Sequence, residues 1–541
     1  MAEFNLIDEP WIPCIDLHGN GVENGIRDTL LKAHELREVC DDSPLVTVAI
    51  HRLLLAIVYR ALSGPTGFDA WKGVYAKGCF EPGAVQSYLD KWKPRFDLFD
   101  RDVPFYQMAG LETRNPVSVN RLAAECASGN NATLFDHCSD ELKTEWIPAQ
   151  VARQLVACQS FALALGVSAK ARIGGRDEDR PRFTDAIATR GMNVWLQGNS
   201  LVETLAVNLV PVCDKSLPPW ELNDQQQYRD RQDGKKRKTV SSFGIVDRLT
   251  WQSRLIRFTL DGDTVSQMHF TQGRSADKGI GDPMKVYRTD KEEGISAVPL
   301  GRDKAAWRDS YSLLMIPAAG SNERRPECFN LVARASALRL VDPARSFSVQ
   351  VVGLASAPSK ASKLLLWRHE RLPIPASLLG DANIIGRLGL LIQSADHAAI
   401  QLNHRTQRIA KLYLSPTSET PNGRQPDRDE VTRVAESLDP RPAYWARLER
   451  YFYTLLENLP GDWDRKRGDW KPDNVQTATR EWREHVKREA KRSLEENIRS
   501  LGTTGRAIQA VARVQTNFTD DDLKPRPQAA AKARKKGGGK K

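Results

Sequence analysis

Few of the 541 residues are arranged for bond-breaking chemistry. Gly273-Arg274-Ser275-Ala276-Asp277-Lys278-Gly279 has the glycines and lysine of a phosphate loop, in which backbone N–H groups cradle phosphate oxygens. It lacks a glycine directly before Lys278 and a Ser or Thr directly after it, and no strand-to-helix pattern flanks it. Asp396-His397 set an acid beside a base, in the reverse order to a histidine–aspartate nuclease and within a helical stretch. No His-Glu-x-x-His, paired His-x-Asp or Gly-x-Ser-x-Gly occurs. The eight cysteines (Cys14, Cys40, Cys79, Cys126, Cys138, Cys158, Cys213, Cys328) contain no Cys-x-x-Cys pair, which argues against a zinc ribbon and a disulfide framework. The sequence therefore assigns no catalytic residue, no cofactor and no metal.

Other segments carry residue types suited to nucleic acid. Ser128-Gly129-Asn130-Asn131-Ala132-Thr133-Leu134-Phe135-Asp136-His137 combines amides, which bond base edges or phosphates, with two bulky apolar residues that can press on a sugar or base. In Ala171-Arg172-Ile173-Gly174-Gly175-Arg176 the paired glycines let a backbone approach a groove closely, because no Cβ intervenes. The flanking arginines suit phosphates. Gln272-Gly273-Arg274, with Lys278 nearby, is a basic loop. Taken alone, each is equally an ordinary loop, turn or solvated charged face.

The elements that must position these segments read as α+β. Phe4-Asn5-Leu6-Ile7-Asp8-Glu9-Pro10-Trp11-Ile12-Pro13 is a short apolar strand ended by prolines, and His18-Gly19-Asn20-Gly21 turns it into a hairpin over residues 4–25. Ser43-Pro44 starts a buried helix to about residue 63, and further helices are expected near 83–93 and 148–165. Pro104-Phe105-Tyr106-Gln107 opens an extended segment, and strand-like pieces fall at 253–260, 311–316 and 345–353. From about 378 the pattern turns helical, at 380–413, 428–437, 441–457, 475–502 and 505–516. The expected organisation is a mixed domain over 1–377, a helical (four-helix) bundle over 378–518 and a disordered basic tail over 519–541.

Hydrophobic content of 40% with 27% charged residues suits a soluble globular chain. No apolar run approaches the ~20 residues of a membrane helix, and the first residues are acidic rather than basic. A cytoplasmic protein with no membrane partner is expected. Of the net charge of +11, Lys524, Arg526, Lys532, Arg534, Lys535, Lys536, Lys540 and Lys541 supply eight, leaving about +3 elsewhere. Such a tail adds salt-sensitive affinity for any nucleic acid and no sequence preference.

The opening ten residues, Pro104-Phe105-Tyr106-Gln107, the amide-rich loop and Trp367-Arg368-His369-Glu370 together closely resemble the CasA family, the large subunits of type I-E CRISPR Cascade complexes. The resemblance implies a non-catalytic subunit of an RNA-guided complex. Such a subunit recognises the protospacer-adjacent motif (PAM) of duplex DNA through the minor groove, starts strand separation and recruits a helicase–nuclease in antiviral defence. The implied partners are the crRNA-containing assembly (backbone, small and crRNA-end subunits), PAM-bearing duplex, the displaced single strand and the helicase–nuclease. By the same resemblance, Asn131, Leu134 and Phe135 contact DNA near the PAM, and Arg172, Gly174 and Gly175 lie on its minor groove. Arg274, or Lys278, enters that groove. A hairpin bearing Ser359, Lys360, Ala361, Ser362 and Lys363 wedges the duplex. Relatives carry a glutamine where Ala361 stands here, so the hairpin's role transfers and the side chain's does not. Some relatives hold zinc with two Cys-x-x-Cys pairs; this chain has none and is expected to be metal-free. The competing readings are a nucleic-acid-cleaving enzyme and a purely structural assembly subunit.

Overall fold

Two compact units divide the chain, Met1–Gly380 and Asp381–Lys541. The computed structural model describes residues 3–124, 144–164, 170–180, 182–222, 242–277, 281–290, 294–301, 304–357, 360–464 and 466–524, with the backbone alone over 355–366.

In the first unit the opening segment is a plug rather than a strand. Asn5 makes a single bridge to Asp97, and its side-chain oxygen accepts the Ile7 N–H at 3.1 Å, turning the chain. Leu6, Ile7 and Trp11 are wholly buried, with the Trp11 indole donating to the Leu6 carbonyl at 2.9 Å. The strand begins only at Ile12 (Ile12–Asp16) and pairs antiparallel with Gly21–Asn24 and Leu36–Val39.

The helix Pro44–Ala61 has proline in its first turn and is buried on nearly every side. Contrary to the sequence expectation, its length and apolarity are enough to cross a membrane; here it is the centre of the unit, packed by Pro148–Phe161, Pro82–Trp92 and Ile245–Leu249. Arg52, in its middle, is fully buried, paired with Asp282 at 2.8 Å and donating to the Arg248 carbonyl at 2.7 Å. Two expectations fail. Residues 311–316 lie in a helical turn, Ser310–Leu314, whose buried Ser310, Leu313 and Leu314 follow helical spacing. A short apolar run does not distinguish the two states. Residues 104–107 form a turn, in which Tyr106 takes a left-handed φ of 55°.

In the second unit the helices Ala382–Leu414, Arg428–Ser437, Arg441–Asn458, Thr477–Ile498 and Gly505–Ala512 pack together. Asp381 caps the first, accepting the Asn383 and Ile384 N–H groups at 3.1 Å each. The stripe Ile384, Ile385, Leu388, Leu391, Ile392 and Ala395 is buried, as its spacing requires. Polar pins fix helix against helix: Tyr444 Oη donates to the Ala395 carbonyl at 3.0 Å and Trp482 Nε1 to that of Leu391 at 2.9 Å. Two features depart from the sequence reading. A small β-ribbon, Trp463–Asp464 against Asp469–Trp470, interrupts the helices. Residues 519–524, expected in the disordered tail, are ordered around the turn Asp520–Leu523. There Asp522 pairs with Arg405 at 2.8 Å, and Leu523 is buried.

Candidate nucleic-acid interface

The glycine pair sits at the tip of a two-residue hairpin. Leu111–Thr113, Ala171–Ile173 and Arg176–Glu178 form an antiparallel sheet, with Ile173 paired to Arg176 across Gly174 and Gly175. Their φ values, 55° and 79°, are both left-handed, the conformation of a type I′ turn, which favours glycine and, at its first position, also Asn or Asp. Both glycines are exposed. The Gly174 N–H donates to the Gly110 carbonyl at 3.3 Å, and Arg172 Nε to that of Gly175 at 3.3 Å. Gly110, itself at φ 69°, went unnoticed in the sequence because it stands alone. Behind the hairpin, His269 Nδ1 accepts the Thr113 N–H at 3.0 Å, which fixes the neutral imidazole. Burial, with Arg257 alongside, holds its pKa below the usual histidine value.

The hairpin is stitched to the 272–275 segment. Arg180, just beyond the strand Arg176–Glu178, donates twice to the Gln272 carbonyl, at 3.1 and 2.7 Å. Thr184 N–H meets Gln272 Oε1 at 2.9 Å, and its hydroxyl meets that of Ser275 at 3.2 Å. The structure thus brings together two of the segments singled out in the sequence. It also corrects the role given to Arg274. That side chain is 4% exposed and forms a two-point ion pair with Asp247 at 2.7 and 3.2 Å. Its guanidinium lies over the Trp251 ring, 3.7 Å from the centroid. A cation so enclosed holds its own loop and is not presented to a groove. Asp247 and Trp251 were missed because nothing local to Arg274 announces them.

The wedge candidates lie on a long antiparallel arm, Ser346–Ala357 with Lys360–Pro375. A third strand, Asn193–Gln197, supports only Ser348–Val352, so the ladder from Gly353 to Ala357 continues with two strands. Gly353 and Leu354 of this stretch are still buried, so the base of the two-stranded ladder packs against the core of the first unit. Its end is irregular: Ser356 pairs with Leu364 but Ala357 with Lys360, so Ala361, Ser362 and Lys363 form a bulge without ladder partners. Trp367-Arg368-His369-Glu370 roots the arm. Arg368 donates to the Gly301 and Lys304 carbonyls at 3.0 and 2.9 Å, and Glu370 accepts the Ala306 N–H at 2.6 Å. His369 Nε2 meets Gln350 Oε1 at 2.6 Å.

Asn131, Leu134, Phe135, Lys278 and Ser359 lie outside the described residues. Among the described residues no three His, Cys, Asp or Glu side chains converge as a metal site would need. Cys14, Cys158 and Cys328 are buried, and burial pushes their thiols up to about 12, as for small hydrophobes rather than ligands.

Comparison with known proteins agrees with this architecture. Residues 5–493 match the profile of the family described as CRISPR-associated protein Cse1. The chain is 30% identical over 529 residues to the CRISPR-associated protein CasA/Cse1 of Thermus thermophilus, covering 96% of this chain and 97% of that one. A solved structure of Thermus thermophilus CasA (Cse1) superposes with a TM-score of 0.75 at 26% identity, covering 97% of this chain and 98% of that one. A chain of a CRISPR RNA-guided surveillance complex has the same fold, with a TM-score of 0.73 at 20% identity over 95% of this chain and 99% of that one.

Proposed function

The chain belongs to the Cse1 (CasA) family of CRISPR-associated proteins, large subunits of Cascade surveillance complexes, and from that membership we propose that it reads the PAM of duplex DNA without cleaving it. The observation that carries this reading is the exposed type I′ turn at Gly174-Gly175, a backbone edge with no Cβ in front of it. A minor groove offers mainly an A·T against G·C distinction, which suits tolerant backbone readout. Arg172 and Arg176 flank the turn for phosphates; Arg180, Gln272, Arg274 and Asp247 hold it in place behind. The two-stranded arm with its bulge at Ala361, Ser362 and Lys363 separates the strands beside the PAM, with Lys360 and Lys363 meeting phosphate. Guide pairing then takes over sequence reading. The same complex keeps the displaced strand away from its partner and recruits a helicase–nuclease.

The test is Gly174→Asp in the assembled complex, assayed by band shift on PAM-bearing and PAM-free duplexes. A carboxylate at a left-handed position facing phosphates should lower PAM-dependent affinity by roughly tenfold or more, the worth of one like-charge contact and lost backbone approach. Unchanged affinity in a folded variant rules out readout by this turn.

A further inference from the structure

In the first unit the helix Glu327–Ala337 carries Glu327, Leu331 and Arg334 at the i, i+4, i+7 spacing that sets side chains in one row. That row lines a cavity of about 580 Å³. Such a volume lies inside the range of ~300–1,000 Å³ that compact ligands occupy. Phe68 joins Leu331 as apolar wall, and Arg324 and Arg325 enter from the segment just before the helix.

Some charges of the cavity are engaged and others are not. Asp282 is spent on Arg52 at 2.8 Å, and Glu323 Oε1 accepts the Thr289 N–H at 2.9 Å. Arg325 is 4% exposed. Its Nε donates to Asn330 Oδ1 at 2.8 Å and its Nη1 to the Leu314 carbonyl at 2.9 Å, which leaves Nη2 without an acceptor among the described residues. Burial pushes its pKa down to about 10, so it stays a cation at neutral pH. Arg334 stands over the Phe68 ring, 4.1 Å from the centroid, and Arg324 lies across Gly281. Both are exposed, and neither guanidinium has a hydrogen bond or ion pair among the described residues. The Glu327 carboxylate is likewise unbonded among those residues. Burial raises its pKa above the usual glutamate value, against the fields of Arg248 and Arg324.

Three guanidinium groups with open donors, beside one carboxylate with open lone pairs, suit a ligand that carries both an anion and N–H donors. The wall of Phe68 and Leu331 adds a place for an apolar group. An acidic peptide has all three: its carboxylates match the planar fork of arginine, and its backbone supplies N–H groups. A phosphodiester backbone offers acceptors alone and sets further negative charge against Glu327. The chain's own end, from Lys524 to Lys541, carries eight cations and no acid, so it cannot supply the anion. We propose that this cavity docks an acidic peptide segment of a partner protein, with its carboxylates on Arg324, Arg325 and Arg334, a backbone N–H on Glu327, and an apolar side chain on Phe68 and Leu331. Such docking does not depend on PAM reading by the glycine turn.

The test uses the full chain and a short fluorescein-labelled peptide of alternating leucine and glutamate, titrated by anisotropy. A leucine–glutamine counterpart and a labelled single-stranded oligonucleotide are run in parallel. The wild-type chain should bind the acidic peptide with a Kd of about 1 mM or tighter. Arg324→Gln/Arg334→Gln should weaken that binding by about tenfold or more, the loss of two charge-assisted contacts. Arg37→Gln/Arg101→Gln removes the same charge at exposed positions outside the cavity and should stay within about twofold. The basic end of the chain contributes equally to both variants. The leucine–glutamine peptide should bind about tenfold more weakly than the acidic one. Should the double variant unfold, Arg324→Gln and Arg334→Gln singly replace it, each with an expected loss of about threefold. No binding of the acidic peptide, or unchanged affinity in the cavity variants, overturns the proposal. Equal losses in both double variants overturn it in favour of diffuse attraction. Equal binding of the glutamine peptide removes the role of the carboxylates, and an equal loss for the oligonucleotide reassigns the cavity to nucleic acid; either result also overturns it.

Discussion

Replacing Arg274 by alanine separates two accounts of the same residue. If it enters a groove, Arg274→Ala weakens PAM binding and leaves the fold alone. The structure requires the reverse order of effects. The guanidinium is enclosed, paired at 2.7 and 3.2 Å to an Asp247 that is itself 2% exposed, and set 3.7 Å over Trp251. Truncation leaves a buried carboxylate without its cation, which costs about 3–5 kcal/mol. The lost contact with the Trp251 ring falls within that figure or adds about 2 kcal/mol. The Phe243 N–H, which donates to Asp247 Oδ2 at 3.1 Å, does not replace a lost cation for a carboxylate held out of water. Urea unfolding followed by tryptophan emission should therefore show a loss of about 3–5 kcal/mol for Arg274→Ala. Asp247→Asn combined with Arg274→Met removes both charges and keeps an acceptor for Phe243, so it should recover at least about 2 kcal/mol of that loss as a coupling term. A midpoint shift below about 0.5 kcal/mol, the range of an ordinary surface substitution, together with lost PAM binding, would refute the buried-rack reading and restore Arg274 to the groove.

Two further outcomes follow from the arm and the histidines. Lys360→Ala with Lys363→Ala should leave binding to PAM duplex within about threefold, since each phosphate contact is a modest term. It should slow strand opening reported by 2-aminopurine beside the PAM; unchanged opening rates count against a lysine-bearing wedge. His51, fully buried with Nδ1 at 2.8 Å from the Thr47 carbonyl, and the half-buried His269 and His369 all have pKa values held below 6.5, chiefly by burial. The unfolded chain then binds more protons below pH 6.5, so stability is fully present above that pH and declines as the pH falls toward the lower folded values. Urea midpoints at about pH 7.5, 6.0 and 5.0 should decrease in that order, and His51→Gln should flatten the decrease; a flat wild-type profile rejects the account.

Much of the helical architecture was legible because its signals are local. Pro44 starts a helix that runs Pro44–Ala61, although the Ser43 hydroxyl makes no cap hydrogen bond, and the Ile384-to-Ala395 stripe is buried in the helix Ala382–Leu414, since a first-turn proline and 3.6-residue spacing act within a turn or two. The same locality explains the failures. Leu313 and Leu314 read equally as strand or helix until a core claims them, and Phe4 to Pro10 reads as a strand until Asn5 turns it. The Gly174-Gly175 turn was visible in sequence because paired glycines have few other uses at a hairpin tip.

What the sequence determined by itself was the family, the mixed-then-helical order of the elements, and the residue types available for phosphate and groove contact. What only the tertiary structure decided was which of those charges remain available. Arg274 is spent on Asp247, which is 27 positions away, and Lys487 on Glu484 and Asp520, while Arg480 and Arg483 form no ion pair among the described residues. Charge type is written in the residue, but its neutralisation depends on distances of a few ångströms between segments far apart in the chain. Those distances exist only after the chain has folded.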